Sequence, residues 1–382
     1  MKNCFFRPDG LIWIIFFLTL LYIIVPVSFA HCSTSAVPSQ VQTTVLERKT
    51  VVSQADLSYE NTTLTEDVTW RGTVLVRGFV VIAPQATLRI EPGTVIRFMK
   101  SAILRQPPRL VIMGRVQCSG SAEKPVFFGP NLADSAAGDW GGILLLSTGK
   151  RNLFEQVHIE GAETGIDSRF SAMTGKGITI ARSRTGMVSK DSAIHLEELS
   201  VSECETGLDI RDSEFDLREG VLSDNQRGIF GHHSSLVLAS LTVRNNDRQG
   251  IHAEECRIRF TSCEVSGNTV GALVKGGEGQ ILMSRFLRNR GAGLQLSAAR
   301  IRVNRTLFAD NIGDGIRTED GRSIIWGSLF TGNGGFNLLA SGSDSVSAVL
   351  NWWGNVDEAA ITSKLSGQII FLPWLNEKPM LP

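Results

Sequence analysis

The sequence predicts an all-β chain: a right-handed parallel β-helix solenoid of about 11–12 coils with a short C-terminal capping helix. Three observations lead there. First, a pattern of alternating apolar residues, then Asn, then Gly plus an apolar residue recurs along the chain. Its Asn marks are Asn225, Asn246, Asn268, Asn289, Asn311 and Asn333, at steps of 21 or 22 residues. Its Gly marks run from Gly165-Ile166 to Gly335-Phe336 at steps of 20 to 22. Second, the stretches between marks are short, rich in β-branched residues and broken by turn residues, as in strands joined by tight corners. Third, no ten-residue window keeps the i, i+3, i+4 stripe of a helix, and the LxxLxL signature of leucine-rich repeats is missing, so helical and leucine-rich solenoids fit poorly.

Taken in order, residues 1–30 read as an export signal. Lys2 and Arg7 precede the apolar run Leu11–Val27, and Ser28-Phe29-Ala30 has the small residues of a cleavage site. The run is also long enough to serve as an uncleaved anchor, and only then is a membrane a partner. Residues 31–62, rich in Ser, Thr, Val and Gln, read as a linker. The β-helix is expected over 63–350, opening with a strand-rich cap. Strands alternate from Val68 to Phe98 between breaks at Gly72, Gly78, Pro84-Gln85 and Pro92-Gly93. Residues 351–382 are expected to be the C-terminal cap. There Val356–Leu365 suits a short helix, with Asp357 and Glu358 at its start and Lys364 near its end, where the helix dipole favours each sign. Trp352, Trp353 and Trp374 would cover the open end of the last coil.

Within the repeat, the residues three and eight places before each Asn are apolar in every coil, from Leu222 and Leu217 to Phe330 and Ile325. They stack inward, and the residues between them point out. At the Asn corner, the side chain tolerates left-handed backbone and its amide can bond along the stack. Cys204 takes that place in its own coil. The Gly that follows lets the chain turn into the next strand. The best-marked residues are thus structural.

Composition excludes more than it assigns. Lys plus Arg and Asp plus Glu both number 38, so no bulk basic field points to nucleic acid. Once residues 1–30 are removed, Cys118, Cys204, Cys256 and Cys263 stand beside Cys32 with no CxxC spacing and no even framework, and read as buried thiols without zinc. No cofactor is indicated.

The opening segment GTVLVRGFVVIAPQATLRIEPGTVIRF, the GDWGGI at Gly138–Ile143, the Asn-Gly coils and the closing NWWGN and FLPWL resemble exported bacterial right-handed parallel β-helix repeat proteins. These have the pectin-lyase-like fold and include a NosD-like periplasmic branch. The resemblance covers about residues 63–375 and implies an exported protein of the periplasm, cell surface or exterior. It leaves function open, because the fold serves lyases, hydrolases, epimerases and adhesins.

Outward columns are where chemistry would sit. Two places after each Gly stand Asp209, Phe230 and His252, and at the end of that column Asn337. Four places after stand Lys190, Arg211, His232 and Glu254. If the coils are in register, these residues form one patch. His232 or His252 would serve as base, with Asp209 and Glu254 beside them. Arg211 or Lys190 would hold a carboxylate, and Phe230 would stack on a sugar. An enzyme of this kind would be a lyase, hydrolase or epimerase on an acidic glycan. Against it, Gly231-His232-His233 matches only two of the three positions of the Gly-His-Gly of polygalacturonase-type hydrolases, and their Asn-Thr-Asp, paired Asp and Arg-x-Lys are missing. Asp310, Asp314, Glu319 and Asp320 match no calcium loop and read as turn residues. A NosD-like copper role would fall on His232, His233 and His252. A second outward group is basic: Arg257, Arg259, Arg285, Arg288, Arg290, Arg300, Arg302 and Arg305. The near-constant period leaves few residues for loops that could wall a cleft. The expectation is a non-enzymatic scaffold or glycan-binding protein, with a polysaccharide or cell-envelope glycan as partner.

Overall fold

The computed structural model describes residues 48–101 and 106–380, all within the unit Arg48–Pro382. The export signal expected over 1–30 and the first part of the linker lie outside the described residues. Every strand pairing among the described residues is parallel, and each strand between the two ends pairs with strands of the neighbouring coils. Thr206–Arg211, for instance, lies between Thr185–Lys190 and Arg227–His232. The result is a parallel β-solenoid of about 14 turns with a single short helix.

Three sheets run along it. Sheet 1 carries the strands that follow each Gly mark, such as Thr206–Arg211 and Gln249–Glu254. Sheets 2 and 3 are often two halves of one bent strand. In Glu214–Ser223, residues 214–218 lie on sheet 2 and 220–223 on sheet 3, with the bend at Glu219, whose φ is 58°. The additional turns beyond the expected 11–12 come from both ends, where the Asn and Gly marks are absent. The first strand, Leu57–Leu64, pairs with Thr73–Ile82, so ordered structure begins inside the stretch read as linker. Its polar sequence LSYENTTL hides the strand because only one face is covered. The last rung, Leu365–Ser366 and Ile369–Ile370, lies inside the segment read as cap.

The Asn column is a buried ladder. The side-chain amide of Asn246 donates to the side-chain oxygen of Asn268 at 2.9 Å, Asn289 to Asn311 at 3.0 Å, and Asn311 to Asn333 at 2.9 Å. Each side-chain oxygen also accepts the backbone N–H one coil back, as Asn268 does from Asn246 at 2.9 Å. Cys204 joins at its expected place, its N–H donating to Asn225 at 2.9 Å, and Ser183 continues the line by accepting from Ala162. The left-handed residue is the one before each Asn: Asp224 at φ 60°, Asn245 at 55°, Gly267 at 68°, Asp310 at 55°. That residue faces solvent and makes the turn, which leaves the Asn free to point inward. The reading of the Asn itself as left-handed is corrected on this point.

The Gly that follows also differs from expectation. Gly207, Gly228 and Gly271 do not adopt positive φ; instead a Cβ on them would lie 2.5, 2.3 and 2.2 Å from the carbonyl oxygen of the next glycine in the stack. Lack of space fixes these glycines, rather than backbone freedom. In the coil before the last rung Asn337 occupies the glycine place: Ile316 N–H donates to its carbonyl, and Arg317 stands opposite Leu339. Asn337 therefore leaves the outward column where the spacing from Gly335 had put it, and its amide receives the end of the ladder from Asn333 at 3.1 Å. A second ladder, of Ser171, Ser192, Ser213 and Ser234, closes the corner between sheets 1 and 2, each hydroxyl accepting the N–H one coil back at 3.1–3.2 Å.

The core is a set of apolar rows running between the three sheets, all fully buried. Cys118, Cys204, Cys256 and Cys263 are free and buried in it, as expected. In the C-terminal coils one row becomes a stack of parallel rings, Phe286, Phe308, Phe330 and Trp353, with centroids 5.1, 5.1 and 4.7 Å apart. Trp353 closes that row. The capping helix is Glu358–Thr362, with Asp357 as N-cap accepting from Ala360 N–H at 3.0 Å. Lys364 does not serve the helix: its ammonium donates to the carbonyls of Asn333 and Gly335 at 3.1 and 3.0 Å, neutralising the end of the Asn corner.

Candidate functional site

Two outer faces bear on function. On sheet 1 the register brings the expected patch together. Asp209 stands opposite Phe230 and Phe230 opposite His252; Lys190 is opposite Arg211, Arg211 opposite His232, and His232 opposite Glu254. The chemistry of the patch is largely internal. Arg211 makes a two-pronged bond to Asp209 at 2.8 and 3.0 Å, so each spends one edge on the other. The Phe230 ring has the Arg211 and Arg227 guanidinium carbons 5.4 and 5.6 Å from its centroid and the His252 ring edge-on at 5.4 Å. These contacts occupy much of the surface that a sugar would need. His232 and His233 pack ring to ring at 3.8 Å. Among the described residues no group of three or more His, Cys, Asp or Glu is arranged to hold a metal ion.

His252 is the exception within the patch. Its side chain is 13 % exposed, and Nε2 lies 3.0 Å from Glu254 Oε1. The approach is close but outside hydrogen-bonding geometry, so this buried nitrogen has no aligned partner and the contact is electrostatic. Burial lowers the imidazole pKa from its usual 6.5; Glu254 opposes this, while Lys275 and Arg227 add to it. The neutral form of the ring is favoured relative to a free imidazole. Burial would raise the Glu254 carboxyl, but His252 and Lys275, the latter 3.4 Å away, bring it below the usual value.

Sheet 2 carries two depressions on its outer face, which the sequence showed only in part. The two depressions share one outward row, which runs without a break from Leu153 through Thr174, His195, Asp216, Val237, Arg259 and Gln280 to Arg302. One, of about 400 Å³, lies over the coils of Leu153 to Arg218. The other, of about 470 Å³, lies over the coils of Ser235 to Arg302. End to end along this row, here called the trough, they cover eight rungs, on the order of 34 Å at the usual strand spacing, with Asp216 of the first opposite Val237 of the second. Each depression contains a glycine at an inward position of the sheet, Gly175 between Phe154 and Leu196, and Gly279 between Ile258 and Ile301. The clue in the sequence was these two glycines inside strands, which break the apolar inward row.

The basic group resolves into separate places. Arg257, Arg259, Arg300 and Arg302 line the second depression. Arg285 lies on sheet 3, 3.3 Å from Glu264, and Arg288 and Arg305 are left-handed corner residues. The outward column of Arg259 and Arg302 forms, with Gln280 between them, while of the arginines near it in sequence Arg285, Arg288, Arg305 and Arg290, the last just past the Asn289 corner, lie elsewhere. Of the acids near 310–320, Asp314 is buried and holds Arg317 at 2.8 Å and the N–H of Phe336 at 2.9 Å, a structural role.

Comparison with known proteins agrees with the architecture. The "Right handed beta helix region" model matches residues 234–352, and the "Pectate-lyase like beta helix domain" model matches residues 60–171. The chain is a right-handed parallel β-helix repeat protein. No curated protein sequence matches it significantly. Among solved structures, it is similar to a double mutant of the periplasmic alginate epimerase AlgG, with 14% identity over 81% of this chain and 76% of that one, at a TM-score of 0.43. It is also similar to the Azotobacter vinelandii mannuronan C-5 epimerase AlgE6 A-module, with 13% identity over 81% and 91% and a TM-score of 0.40. Tailspike protein 3 of bacteriophage CBA120 follows at 10% identity over 75% and 57%, with a TM-score of 0.35. Likenesses this low assign neither a site nor a substrate.

Proposed function

We propose that this is an exported glycan-binding protein that holds a linear polysaccharide along the sheet 2 trough without transforming it. One observation carries the reading: the two depressions share a single outward row over eight consecutive rungs. A groove of that shape suits an extended chain lying along the coil axis better than a small molecule. Its surface is mixed, with Leu153 and Thr174 beside charged residues, as sugars with apolar faces and hydroxyl edges require. A glycan array with the purified protein, run beside lyase, hydrolase and epimerase assays on every polymer retained, tests it. Binding should strengthen with chain length and yield no product. Val237→Trp, which fills the middle of the shared row, should weaken binding at least tenfold. Retention of no polysaccharide, or full binding by the Trp variant, overturns the reading.

His252 favours a second reading, in which the sheet 1 patch acts on an acidic glycan. An imidazole whose neutral form burial favours, standing beside the Glu254 carboxylate, has the make-up of a general base. Turnover of any uronate polymer that is abolished by His252→Ala and reduced by His232→Ala would establish it. Unchanged activity in the double variant would remove it.

A further inference from the structure

We propose that the second depression of the trough is a site for a tetrahedral oxyanion, a sulfate or phosphate ester carried on the bound polymer. The proposal rests on the reading of the trough as a polymer site and names the chemistry that one half of it selects. The site begins with Gly279. Its φ is 152°, and a Cβ there would lie 2.0 Å from the carbonyl oxygen of Ile258. No side chain fits there, and Gly279 is among the residues that line the depression.

Four arginines surround that depression: Arg257 and Arg259 on the preceding rung, Arg300 and Arg302 on the following one. Only one carboxylate lines it, Glu278, whose oxygen is 3.7 Å from Arg257. Four positive charges less one negative leave a formal +3 in one concavity. Among the described residues, no carboxylate lies within ion-pairing distance of Arg259, Arg300 or Arg302, although Arg169, Arg211 and Arg317 elsewhere each hold an Asp at 2.8 Å. Like charges gathered on one sheet face repel, and here the protein supplies too few counter-charges to offset them.

The geometry selects the shape of the anion. Gln280 is half-buried, and its amide makes no hydrogen bond to the described residues. Arg259 and Arg302 stand one rung to either side of it, so the two guanidinium stems start roughly 9.6 Å apart with an amide between them. A carboxylate offers both oxygens along one edge, and one guanidinium fork satisfies it. A sulfate or phosphate ester offers three terminal oxygens around a tetrahedron, enough for both forks and the amide.

The test uses the full chain and four polymers of matched length: dextran sulfate, dextran phosphate, polygalacturonate and plain dextran, with binding measured by calorimetry across a salt series. Either ester polymer, or both, should bind at least tenfold more tightly than polygalacturonate. Arg259→Gln with Arg302→Gln should remove that preference and flatten the salt dependence, while the off-trough pair Arg288→Gln with Arg290→Gln should change binding less than twofold. Equal binding of polygalacturonate overturns the proposal, as does an equal loss in the off-trough pair, which would mean unspecific charge attraction. In either case polysaccharide binding that remains sensitive to Val237→Trp leaves the trough reading standing. Failure of every array polysaccharide and of all four polymers to bind removes both.

Discussion

The Asn246 side-chain amide donates to the Asn268 oxygen at 2.9 Å, and the same oxygen accepts the Asn246 backbone N–H at 2.9 Å. One buried atom thus satisfies two donors of the coil before it. Asn268 in turn donates to the Val243 carbonyl at 3.1 Å. Asn268→Ala would leave the buried Asn246 backbone N–H without its acceptor, reduce the Asn246 amide to weaker bonds such as that to the Arg244 carbonyl at 3.2 Å, and take a donor from the Val243 carbonyl. Since each unsatisfied buried group costs about 1–3 kcal/mol, a total loss of roughly 3 kcal/mol is expected after partial relaxation. Asn268→Ser should cost about half as much, because a hydroxyl can still accept the backbone N–H, as Ser183 does. Urea unfolding together with hydrogen exchange of the coils on either side measures both variants. An alanine variant as stable as the parent would show that the ladder is incidental.

The glycines of the same corner make a steric prediction. Gly228→Ala places a methyl 2.3 Å from the Gly250 carbonyl and should destabilise strongly, by about 3 kcal/mol or more, as overpacking against backbone does. Gly149→Ala, where nothing lies within 4 Å of the added carbon, should be neutral or slightly stabilising. A Gly228 variant that matches the Gly149 variant in melting temperature would contradict the close-approach account.

These two corners show what the sequence could reveal and what it could not. The Asn ladder, the inward rows and the adjacency of Asp209, Phe230 and His252 follow from a period, and a period is visible in one dimension. Which residue makes the turn is not visible, because Asp224 and Asn245 are as turn-prone as the Asn beside them, and only the inward direction of the side chain separates the roles. The Ser ladder escaped notice because Ser is common in loops, and its coils also accept Cys256 and Gly277 at the same corner. The trough was hardest to read. Gly175 and Gly279 are among its lining residues, and an absent side chain leaves no apolar or charged signal. At the sheet 1 patch, sequence gave the neighbours but not their pairing: Arg211 turns back on Asp209, two residues away in its own strand, instead of reaching across to a ligand.

His252 should make stability depend on pH. Its folded pKa lies below the usual 6.5, chiefly through burial, so the unfolded chain takes up protons first as pH falls. Stability should therefore be fully present above about pH 6.5 and decline as pH drops from there toward the folded pKa. The Glu254 carboxyl is shifted the other way relative to its own charge, and its contribution is lost only at lower pH, around and below its usual 4.5. Melting curves between pH 5 and 8 should show the decline in the parent and a flatter profile in His252→Gln. An unchanged slope in the variant would assign the dependence to another group.

Trp353 ends the ring stack that starts at Phe286, lying 4.7 Å from Phe330 and 3 % exposed. A parallel solenoid would otherwise end on open apolar rows and unpaired strand edges, both of which invite association with other chains. Trp353→Ala should cost about 3–5 kcal/mol, the usual range for removing a buried aromatic. Because each coil rests mainly on its neighbours, the loss should be concentrated at the C-terminal end. Amide exchange is expected to quicken from Leu329 onward while the coils of Thr185–Lys190 and Thr206–Arg211 keep their protection. The exposed row should also raise concentration-dependent association, measurable by light scattering. Trp353→Phe, which keeps a stacked ring, should restore most of the protection. Uniform loss of protection along all coils would show that the solenoid unfolds as one cooperative unit and that Trp353 is not a local lid.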